Sequence, residues 1–167
     1  MKLPAQGLLI ADAGPLIILA KCDQLHLLTA LFSALHLPQA VVQEVLMGGD
    51  WPEIPKLREF INLATVHDSV NDEWVEDLRI ELHEGEIQAM ALARKFDALL
   101  LMDEAHGRRV AARNSVAVIG TLGVLLRAKL RGLIPLIRPV VEQMQQGHYT
   151  LSQSVVEQAL RQAGETA

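Results

Sequence analysis

The fold is decided by the stretch Leu8-Leu9-Ile10-Ala11-Asp12-Ala13-Gly14-Pro15-Leu16-Ile17. Its apolar beginning, residues 8–11, is typical of a fully buried β-strand that ends at Asp12. Gly14 then turns the chain, and we expect Pro15 to occupy the first position of a helix, where its missing N–H leaves no hydrogen bond unmade. Asp12 should therefore lie at the carboxyl end of a central strand, where open α/β sheets bind ligands. In the alternative interpretation, Asp12 only caps the helix that follows.

The remaining sequence alternates between strand and helix patterns. A second strongly apolar strand is predicted at residues 98–102, and it also ends in acid, at Asp103 and Glu104. Weaker strands are predicted at 35–37, 64–66 and 116–119. Helices are predicted over 16–21, 25–32, 39–47, 54–63, 73–82, from 84 onward, 104–113, 122–130, 134–145 and 152–163. This alternation indicates a parallel sheet covered by helices on both faces.

Three of these helices have candidate N-capping residues just before them. Asp23 is expected to cap the helix at 25–32, a polar residue within 69–72 the helix that begins at 73, and Ser152 the last helix. Each has a side-chain oxygen that can accept a hydrogen bond from the free amides of a first helical turn.

The composition is typical of one globular domain. The chain has 167 residues, of which 50% are hydrophobic and 21% charged, so disorder is not expected. We expect a single domain over 1–167, with helices at about 134–164 packed on it or mediating contacts. No apolar run approaches membrane-spanning length and residues 1–4 lack a signal-peptide pattern, which predicts a soluble cytoplasmic protein. The single cysteine, Cys22, excludes an intrachain disulfide and a Cys-rich zinc site.

The net charge of −5 is unevenly distributed along the chain. Residues 1–100 hold 7 Lys and Arg against 15 Asp and Glu, whereas residues 101–167 hold 8 against 5. The candidates for contact with RNA phosphates lie in an acid-free segment of the second part and are Arg108, Arg109, Arg113, Arg127 and Lys129. In the alternative interpretation, these residues are the solvated faces of two helices.

Up to four carboxylates are expected to converge at one edge of the sheet, because Asp12 and Asp103 end two buried strands and two helices begin near or carry glutamates. Glu44 lies at the margin of the apolar stripe of its helix, where it faces either the sheet edge or water. Like charges at such short range repel one another, and burial of an unpaired carboxylate is unfavourable. A hard divalent cation such as Mg²⁺ or Mn²⁺, which prefers oxygen ligands and uses one or two direct carboxylates, removes this cost.

A cation site of this kind suits hydrolysis of a phosphodiester by an activated water, without a nucleophilic side chain. Other motifs of catalysis and nucleotide binding are missing from the sequence. His83-Glu84 lacks the second histidine of a zinc protease, and neither a P-loop, a Gly-x-Gly-x-x-Gly turn nor a Gly-x-Ser-x-Gly elbow occurs.

Five motifs in this order and spacing resemble the PIN domain, and in particular a prokaryotic PIN-like subfamily associated with toxin–antitoxin modules. The resemblance covers the chain from Leu8 to about Gly164. The motifs are Ala11-Asp12-Ala13-Gly14-Pro15-Leu16-Ile17, Val42-Gln43-Glu44-Val45, Glu84-Gly85-Glu86-Ile87-Gln88-Ala89-Met90-Ala91-Leu92-Ala93, Leu101-Met102-Asp103-Glu104 through Arg108-Arg109-Val110-Ala111, and Gly120-Thr121-Leu122-Gly123-Val124-Leu125.

The resemblance implies a three-layer α/β/α sandwich with a central, mainly parallel sheet, and Mg²⁺- or Mn²⁺-dependent cleavage of RNA. The residues that match the catalytic acids of the family are Asp12, Glu44, Glu86 and Asp103. Of these, Asp12, Glu86 and Asp103 would bind the metal. The secondary candidates are Glu84, Glu104 and Thr121.

This chain differs from the usual family pattern at two positions. Gly14 stands where relatives usually have Ser or Thr, and Glu86 stands where many have aspartate. Each acid also has a purely structural interpretation: Glu44 as an exposed helix charge, Glu86 as a first-turn acid favoured by the helix dipole, and Asp103 as a helix cap. Thr121 is expected to act as a cap more than as a ligand.

Two functions are compatible with these features. The first is a metal-dependent endoribonuclease, the toxin of a module whose small partner protein inhibits it, with a homodimer as a possible assembly. The alternative is a catalytically weak or inactive PIN-like module that binds RNA or a protein. Because aromatic residues make up only 4% of the chain, we expect RNA to be recognised by backbone shape and charge more than by base stacking.

Overall fold

A parallel sheet forms the centre of the computed structural model, which describes residues 7–166. Residues 1–6, which include the segment without a signal-peptide pattern, and residue 167 lie outside the described part. The strands within residues 7–166 are β1 (Leu8–Ala11), β2 (Ala34–Pro38), β3 (Thr65–His67), β4 (Leu99–Leu101) and β5 (Val118–Ile119). They lie in the order β3-β2-β1-β4-β5, and every neighbouring pair is parallel.

Helices connect the strands and form two groups. In one group α3 packs against α1, α4 and α6, whereas in the other α8 packs against α2 and α10. The helices are α1 (Ala13–Lys21), α2 (His26–Leu31), α3 (Gln39–Met47), α4 (Ile54–Ile61), α5 (Glu73–Leu78), α6 (Glu84–Phe96), α7 (Ala105–Arg113), α8 (Thr121–Leu130), α9 (Arg138–Gln146) and α10 (Gln153–Gln162). The predicted α/β/α sandwich with a mainly parallel sheet is thereby confirmed.

Strand β1 lies in the middle of the sheet and is enclosed on both faces. Leu9, Ile10 and Ala11 have no exposed surface, as expected for a strand with apolar side chains on both faces. The pairing of β1 with β4 continues past the strand, since the backbone N–H of Asp12 donates to the carbonyl of Leu101 at 2.9 Å. The backbone that carries Asp12 is therefore part of the rigid sheet.

The order of the strands places a topological switch point beside β1. From β1 the chain adds β2 and β3 on one side, then crosses to the other side to add β4 and β5. Ligand crevices in open α/β sheets form where the strand order reverses, at the carboxyl ends of the strands. Asp12 follows β1 and Asp103 lies two residues after β4, so both acids lie at this crevice.

The helix that follows β1 begins earlier than the sequence pattern predicts. Because α1 starts at Ala13, Pro15 occupies its third position, and the expectation that Pro15 opens the helix is wrong. The third position is still compatible with proline, because the first four amides of a helix have no partner within the helix.

Of the predicted helix caps, those of α5 and α10 are confirmed and that of α2 is wrong. Ser152 accepts a hydrogen bond from the amide of Val155 at 3.3 Å, and Asp72 accepts one from Val75 at 2.9 Å. Asp23 does not cap α2, whose N-cap residue is Leu25. Asp23 has a φ of 55° and lies in the turn after α1, a left-handed conformation that aspartate tolerates better than most residues.

Helix α9 begins at Arg138, four residues later than predicted. Pro139 lies in its first turn, where no amide hydrogen is required. A helix that started at residue 134 would place the same proline in its interior, where the missing N–H would break a backbone hydrogen bond. None of the helices within residues 7–166 is long and apolar enough to span a membrane.

A buried carboxylate ties the C-terminal segment to α8 and α9. The side chain of Glu165 is only 5% exposed and accepts hydrogen bonds from the amides of Ile137 and Arg138, at 2.8 and 3.0 Å. It also pairs with Lys129 Nζ at 2.8 Å. Glu165 therefore satisfies free amides at the start of α9 and links that helix to α8.

We expect Glu165→Ala to lower the free energy of unfolding by about 2–4 kcal/mol, because the substitution leaves the Lys129 ammonium and two amides without their partner. Chemical denaturation at neutral pH measures this difference. Glu142→Ala, at an exposed position of α9, is the matched control and should change the stability by less than about 0.5 kcal/mol. Equal effects of the two substitutions would contradict a stabilising role of Glu165.

Candidate metal centre

The Asp12 side chain is buried at the end of β1. It is 8% exposed and occupies the N-cap position of α1, but makes no side-chain cap hydrogen bond. Within the described residues it also forms no ion pair. Burial raises the pKa of Asp12 to about 7, and the negative charges of Glu44, Glu86 and Asp103 raise it further, while the amide of Ala13 partly offsets the rise. The capping interpretation therefore does not account for Asp12.

The structure brings the four predicted acids together at one edge of the sheet. All three of the other carboxylates are close enough to Asp12 to disfavour its ionised form. They come from different elements: Glu44 from α3, Glu86 from the first turn of α6, and Asp103 from the segment after β4. This convergence depends on the tertiary fold, because more than 90 residues separate the first acid from the last.

Glu44 reaches over the beginning of α6. A Cβ atom on Gly85 would lie 2.5 Å from Glu44 Oε2, so residue 85 must be glycine for the carboxylate to occupy this position. Although the residue as a whole is exposed, partial burial of the carboxylate and the charge of Glu86 raise the pKa of Glu44, while His83 lowers it. Glu44 is therefore more than a solvated helix charge.

Glu86 has a structural contact as well as a place among the acids. Its Oε2 accepts a hydrogen bond from the amide of His83 at 3.0 Å, which stabilises the start of α6. One oxygen of Glu86 thus has the structural role in the first turn of α6 that the sequence predicted. The same side chain acts electrostatically on Asp12 and Glu44, so both roles are combined in one residue.

Asp103 is held by donors that lie later in the chain. Its Oδ1 accepts from the amide of Thr121 at 2.7 Å, and its Oδ2 accepts from the Thr121 hydroxyl at 2.5 Å and from the hydroxyl of Tyr149. Thr121 has no exposed surface and positions Asp103 through these bonds. Asp103 therefore binds the first residue of α8 and does not cap α7.

Tyr149 is the residue that the sequence interpretation missed. It lies in the turn between α9 and α10, where His148 has a φ of 60° and the Tyr149 amide donates to the carbonyl of Met144. This is the Schellman arrangement that commonly ends a helix. A Cβ atom on Gly14 would lie 3.8 Å from the Tyr149 hydroxyl. The turn therefore brings a hydroxyl next to Gly14.

The Tyr149 hydroxyl stays protonated and is a hydrogen-bond donor at neutral pH. Burial, the charge of Asp103 and the hydrogen bond to it raise the pKa of Tyr149 well above its usual range. The only available signal in the sequence was that Tyr149 is the single tyrosine of the chain. Nothing in the local pattern connects that tyrosine with an aspartate 46 residues earlier.

The secondary acidic candidates lie outside the group of four acids. Glu84 pairs with Arg79 at 3.2 Å and accepts from Gln88 at 2.9 Å. Its hydrogen bonds to Arg79 and Gln88 lower the pKa of Glu84. Glu104 caps α7 by accepting from the amides of His106 and Gly107, at 3.0 and 2.7 Å, and these bonds lower its pKa. Both carboxylates are occupied by structural contacts.

The five basic candidates differ in their surroundings. Arg113 pairs with Glu81 at 2.8 Å, Lys129 pairs with Glu165, and the guanidinium of Arg127 lies 5.9 Å from the ring centre of Phe32. Arg109 is exposed. Three of the five basic side chains therefore already contact other side chains, so the five do not form one free basic surface.

Arg108 is the basic candidate that adjoins the acids. It is exposed and donates to the carbonyl of Met102 at 3.1 Å. A Cβ atom on Gly120 would lie 2.7 Å from an Arg108 nitrogen and 3.0 Å from Asp103 Oδ1. A cation at this place can bind a phosphate that reaches the edge of the sheet.

The donor set fits a hard divalent cation with an open coordination shell. Within residues 7–166 no group of three or more His, Cys, Asp or Glu side chains is arranged to hold a metal ion. Mg²⁺ and Mn²⁺ do not require three such ligands, because they retain several waters and take one or two carboxylates directly. The buried oxygens of Asp12, which the neighbouring acids destabilise as an anion, are the donors that a cation would neutralise.

The comparison with protein families covers almost the whole chain. The family model DUF3368, which is described as a PIN domain, matches residues 8–165. This range includes the four acids, Thr121 and Tyr149. A search of curated proteins finds no match.

The raised pKa of Asp12 predicts a pH dependence of stability. The pKa is about 7 in the folded protein against an ordinary value of 3.8, so the folded state binds more protons between these values. The free energy of unfolding of the metal-free protein should therefore fall as the pH rises through this window, by an amount on the order of a few kcal/mol.

Asp12→Asn should lose this dependence, because the amide does not ionise. Chemical denaturation of both proteins in EDTA, at about pH 4 and about pH 8, measures the difference in stability. We expect the variant to gain stability relative to the wild type as the pH rises. A difference that is the same at both pH values would contradict the burial of an unpaired Asp12.

Proposed function

The chain belongs to the PIN-domain family, whose members are generally hydrolytic nucleases, and on this premise we propose that it is a divalent-cation-dependent endoribonuclease. The observation that carries the proposal is the burial of Asp12 beside Glu44, Glu86 and Asp103 at the switch point of the sheet. A protein without a ligand for this site would gain stability by replacing the buried acid. The presence of the buried Asp12 at a crevice therefore favours a functional role for this residue.

The residues that would hold the cation, directly or through its bound waters, are Asp12, Glu86 and Asp103, with Glu44 near Glu86. When bound, the cation would polarise the phosphodiester and an attacking water, so that no nucleophilic side chain is needed. The substrate in this proposal is an RNA strand that brings one phosphate to the carboxyl edge of the sheet, next to Arg108.

The protein's own contribution is to hold these oxygens in place before substrate binds. Asp12 is fixed by the backbone pairing of β1 with β4, and Asp103 is fixed by three hydrogen bonds from Thr121 and Tyr149. Carboxylates that do not need to reorganise stabilise developing charge more effectively than mobile ones. Arg108, which is exposed beside Asp103, would bind and orient the phosphate.

A second candidate function, a catalytically weak module that binds RNA or a protein, is favoured by one specific observation. Both oxygens of Asp103 already accept hydrogen bonds, and one oxygen of Glu86 accepts a bond from His83. An oxygen that already accepts a hydrogen bond has fewer free lone pairs with which to coordinate a metal ion. Binding of Mn²⁺ distinguishes the two functions, since a ligand of the folded state raises the melting temperature and a degenerate site does not respond.

We further propose that the protein acts in the cytoplasm as the toxin of a two-component module, held inactive by a small antitoxin protein. The support for this role is the resemblance to the subfamily associated with such modules, and a homodimer is the assembly that we expect. A neighbouring gene for a small DNA-binding protein, whose product forms a stable complex with this chain, tests the role directly. Growth inhibition that the neighbour does not relieve would contradict it.

Asp12→Asn should abolish Mn²⁺- or Mg²⁺-dependent cleavage of RNA while the fold stays intact, because the variant loses the charge of its most buried ligand. The measurement is cleavage of labelled RNA by purified protein, with folding checked by circular dichroism. Asp77→Asn, at an exposed position of α5, is the matched control and should retain full activity. Full activity of Asp12→Asn, after contaminating nucleases are excluded, would overturn the proposal.

Tyr149→Phe should weaken Mn²⁺ binding by about 10–100-fold, the usual effect of removing a hydrogen bond that orients a metal ligand. The phenyl ring keeps the packing, so only the donor to Asp103 is lost. Electron paramagnetic resonance of free Mn²⁺ measures the affinity without depending on catalysis. An unchanged affinity would show that Tyr149 has only a structural role.

A further inference from the structure

An open cleft of about 470 Å³ lies at the C-terminal end of α1. One wall is the C-terminal half of α1, with Ile18 and Lys21, and a second wall is the segment between α3 and α4, with Trp51 and Glu53. The C-terminal end of α9 closes the third side. We call this space the α1–α9 cleft.

Helix α1 connects the α1–α9 cleft with the proposed metal centre, which lies at the N-terminal end of the helix. Ile18 lies four residues after Gly14, which corresponds to about 6 Å along the helix axis. On the opposite side Gly147, which lines the cleft, lies two residues before Tyr149, whose hydroxyl contacts Asp103. A strand with one phosphate at the acids can therefore place a neighbouring nucleotide in this cleft.

Glu53 lines the cleft, and one oxygen of its carboxylate is buried without a partner. Glu53 Oε2 is inaccessible to solvent and forms no hydrogen bond within the described residues. An unsatisfied buried oxygen is unfavourable, and in native proteins such atoms call for an explanation. A ligand that reorients the Glu53 side chain and presents N–H donors to the carboxylate would satisfy this oxygen.

The other groups of the cleft match the remaining parts of a nucleotide. The indole of Trp51 is fixed by its Nε1–H, which donates to the carbonyl of Val45 at 3.2 Å, and provides a flat apolar wall with Ile18. The ammonium of Lys21 lies 5.5 Å from the ring centre of Trp51 and can neutralise a phosphate. Asp50, at the exposed rim, adds a second acceptor.

We propose that the α1–α9 cleft binds a guanine nucleotide of the RNA, next to the phosphate that is cleaved. Guanine carries two adjacent N–H donors on its Watson–Crick edge, N1–H and the N2 amino group, whereas adenine carries a single donor group there. Glu53 accepts these donors, Trp51 contacts the base, and Lys21 contacts the phosphate. The cleft therefore adds base selection at one position to the recognition by shape and charge that the low aromatic content predicts. This inference rests on the proposed ribonuclease function.

The test is a fluorescence titration of the full-length chain with guanosine and adenosine 5′-monophosphates, in EDTA. The Trp74→Phe variant reports on the cleft alone, because Trp51 is then the single tryptophan. Guanosine monophosphate should change the fluorescence saturably and bind at least about tenfold more tightly than adenosine monophosphate. Saturation-transfer NMR on the wild-type chain makes the same comparison if the variant does not fold.

Glu53→Gln should weaken the binding of guanosine monophosphate by at least about tenfold, because the glutamine amide has a donor in place of one carboxylate acceptor. Glu59→Gln, at an exposed position of α4, is the matched control and should bind like the wild type. Equal binding of both nucleotides, or equal binding by Glu53→Gln and the wild type, would overturn the proposal. Binding of an arginine-rich peptide in place of either nucleotide would also overturn it and assign the cleft to a protein partner.

The titration contains neither divalent cation nor RNA, so its result is independent of catalysis. RNA cleavage without nucleotide selectivity would overturn the guanine site and leave the proposed nuclease function standing. Selective binding of guanosine monophosphate without RNA cleavage would retain the site and contradict the nuclease.

Discussion

Three carboxylates disfavour the ionised form of a fourth, Asp12, which is buried at the end of the central strand. Strand β1 has no exposed side chain between Leu9 and Ala11, so the next residue, Asp12, is carried into the protein by the sheet itself. Three further acids reach the same edge and raise the pKa of Asp12 beyond the effect of burial. A fold that maintains this arrangement in the absence of a cation does so against its own electrostatics.

The second half of the chain supplies the contacts that hold this arrangement in place. Thr121 begins α8 and Tyr149 follows α9, and together they give Asp103 three hydrogen bonds. Glu165 in turn joins the start of α9 to α8 through Lys129. The C-terminal helices therefore act on the candidate site through hydrogen bonds, although the predicted acids lie between residues 12 and 103. The same turn that carries Tyr149 also closes the α1–α9 cleft.

The sheet and the positions of Asp12 and Asp103 could be predicted from sequence because each depends on a local pattern. Glu44 and Glu86 were instead assigned from the resemblance to a family. Apolar runs that end in acid place Asp12 and Asp103 at strand ends, and the alternation with helices implies that those ends lie at one edge. Tyr149 could not be predicted, since its contact with Asp103 spans 46 residues and depends on a left-handed turn at His148. The pairing of Lys129 with Glu165 could not be predicted either, because only the tertiary fold brings α8 to the C-terminal segment. Which of Glu84 and Glu86 joins the other acids also depends on the tertiary fold, since Arg79 at the end of α5 pairs with Glu84.

Anomalous diffraction from a crystal grown with Mn²⁺ decides whether this edge of the sheet binds a divalent cation. We expect an anomalous peak at bonding distance from carboxylate oxygens of Asp12 and Asp103, with waters completing the shell. If saturating Mn²⁺ gives no peak at this edge, or a peak only elsewhere on the protein, the edge is not a cation site.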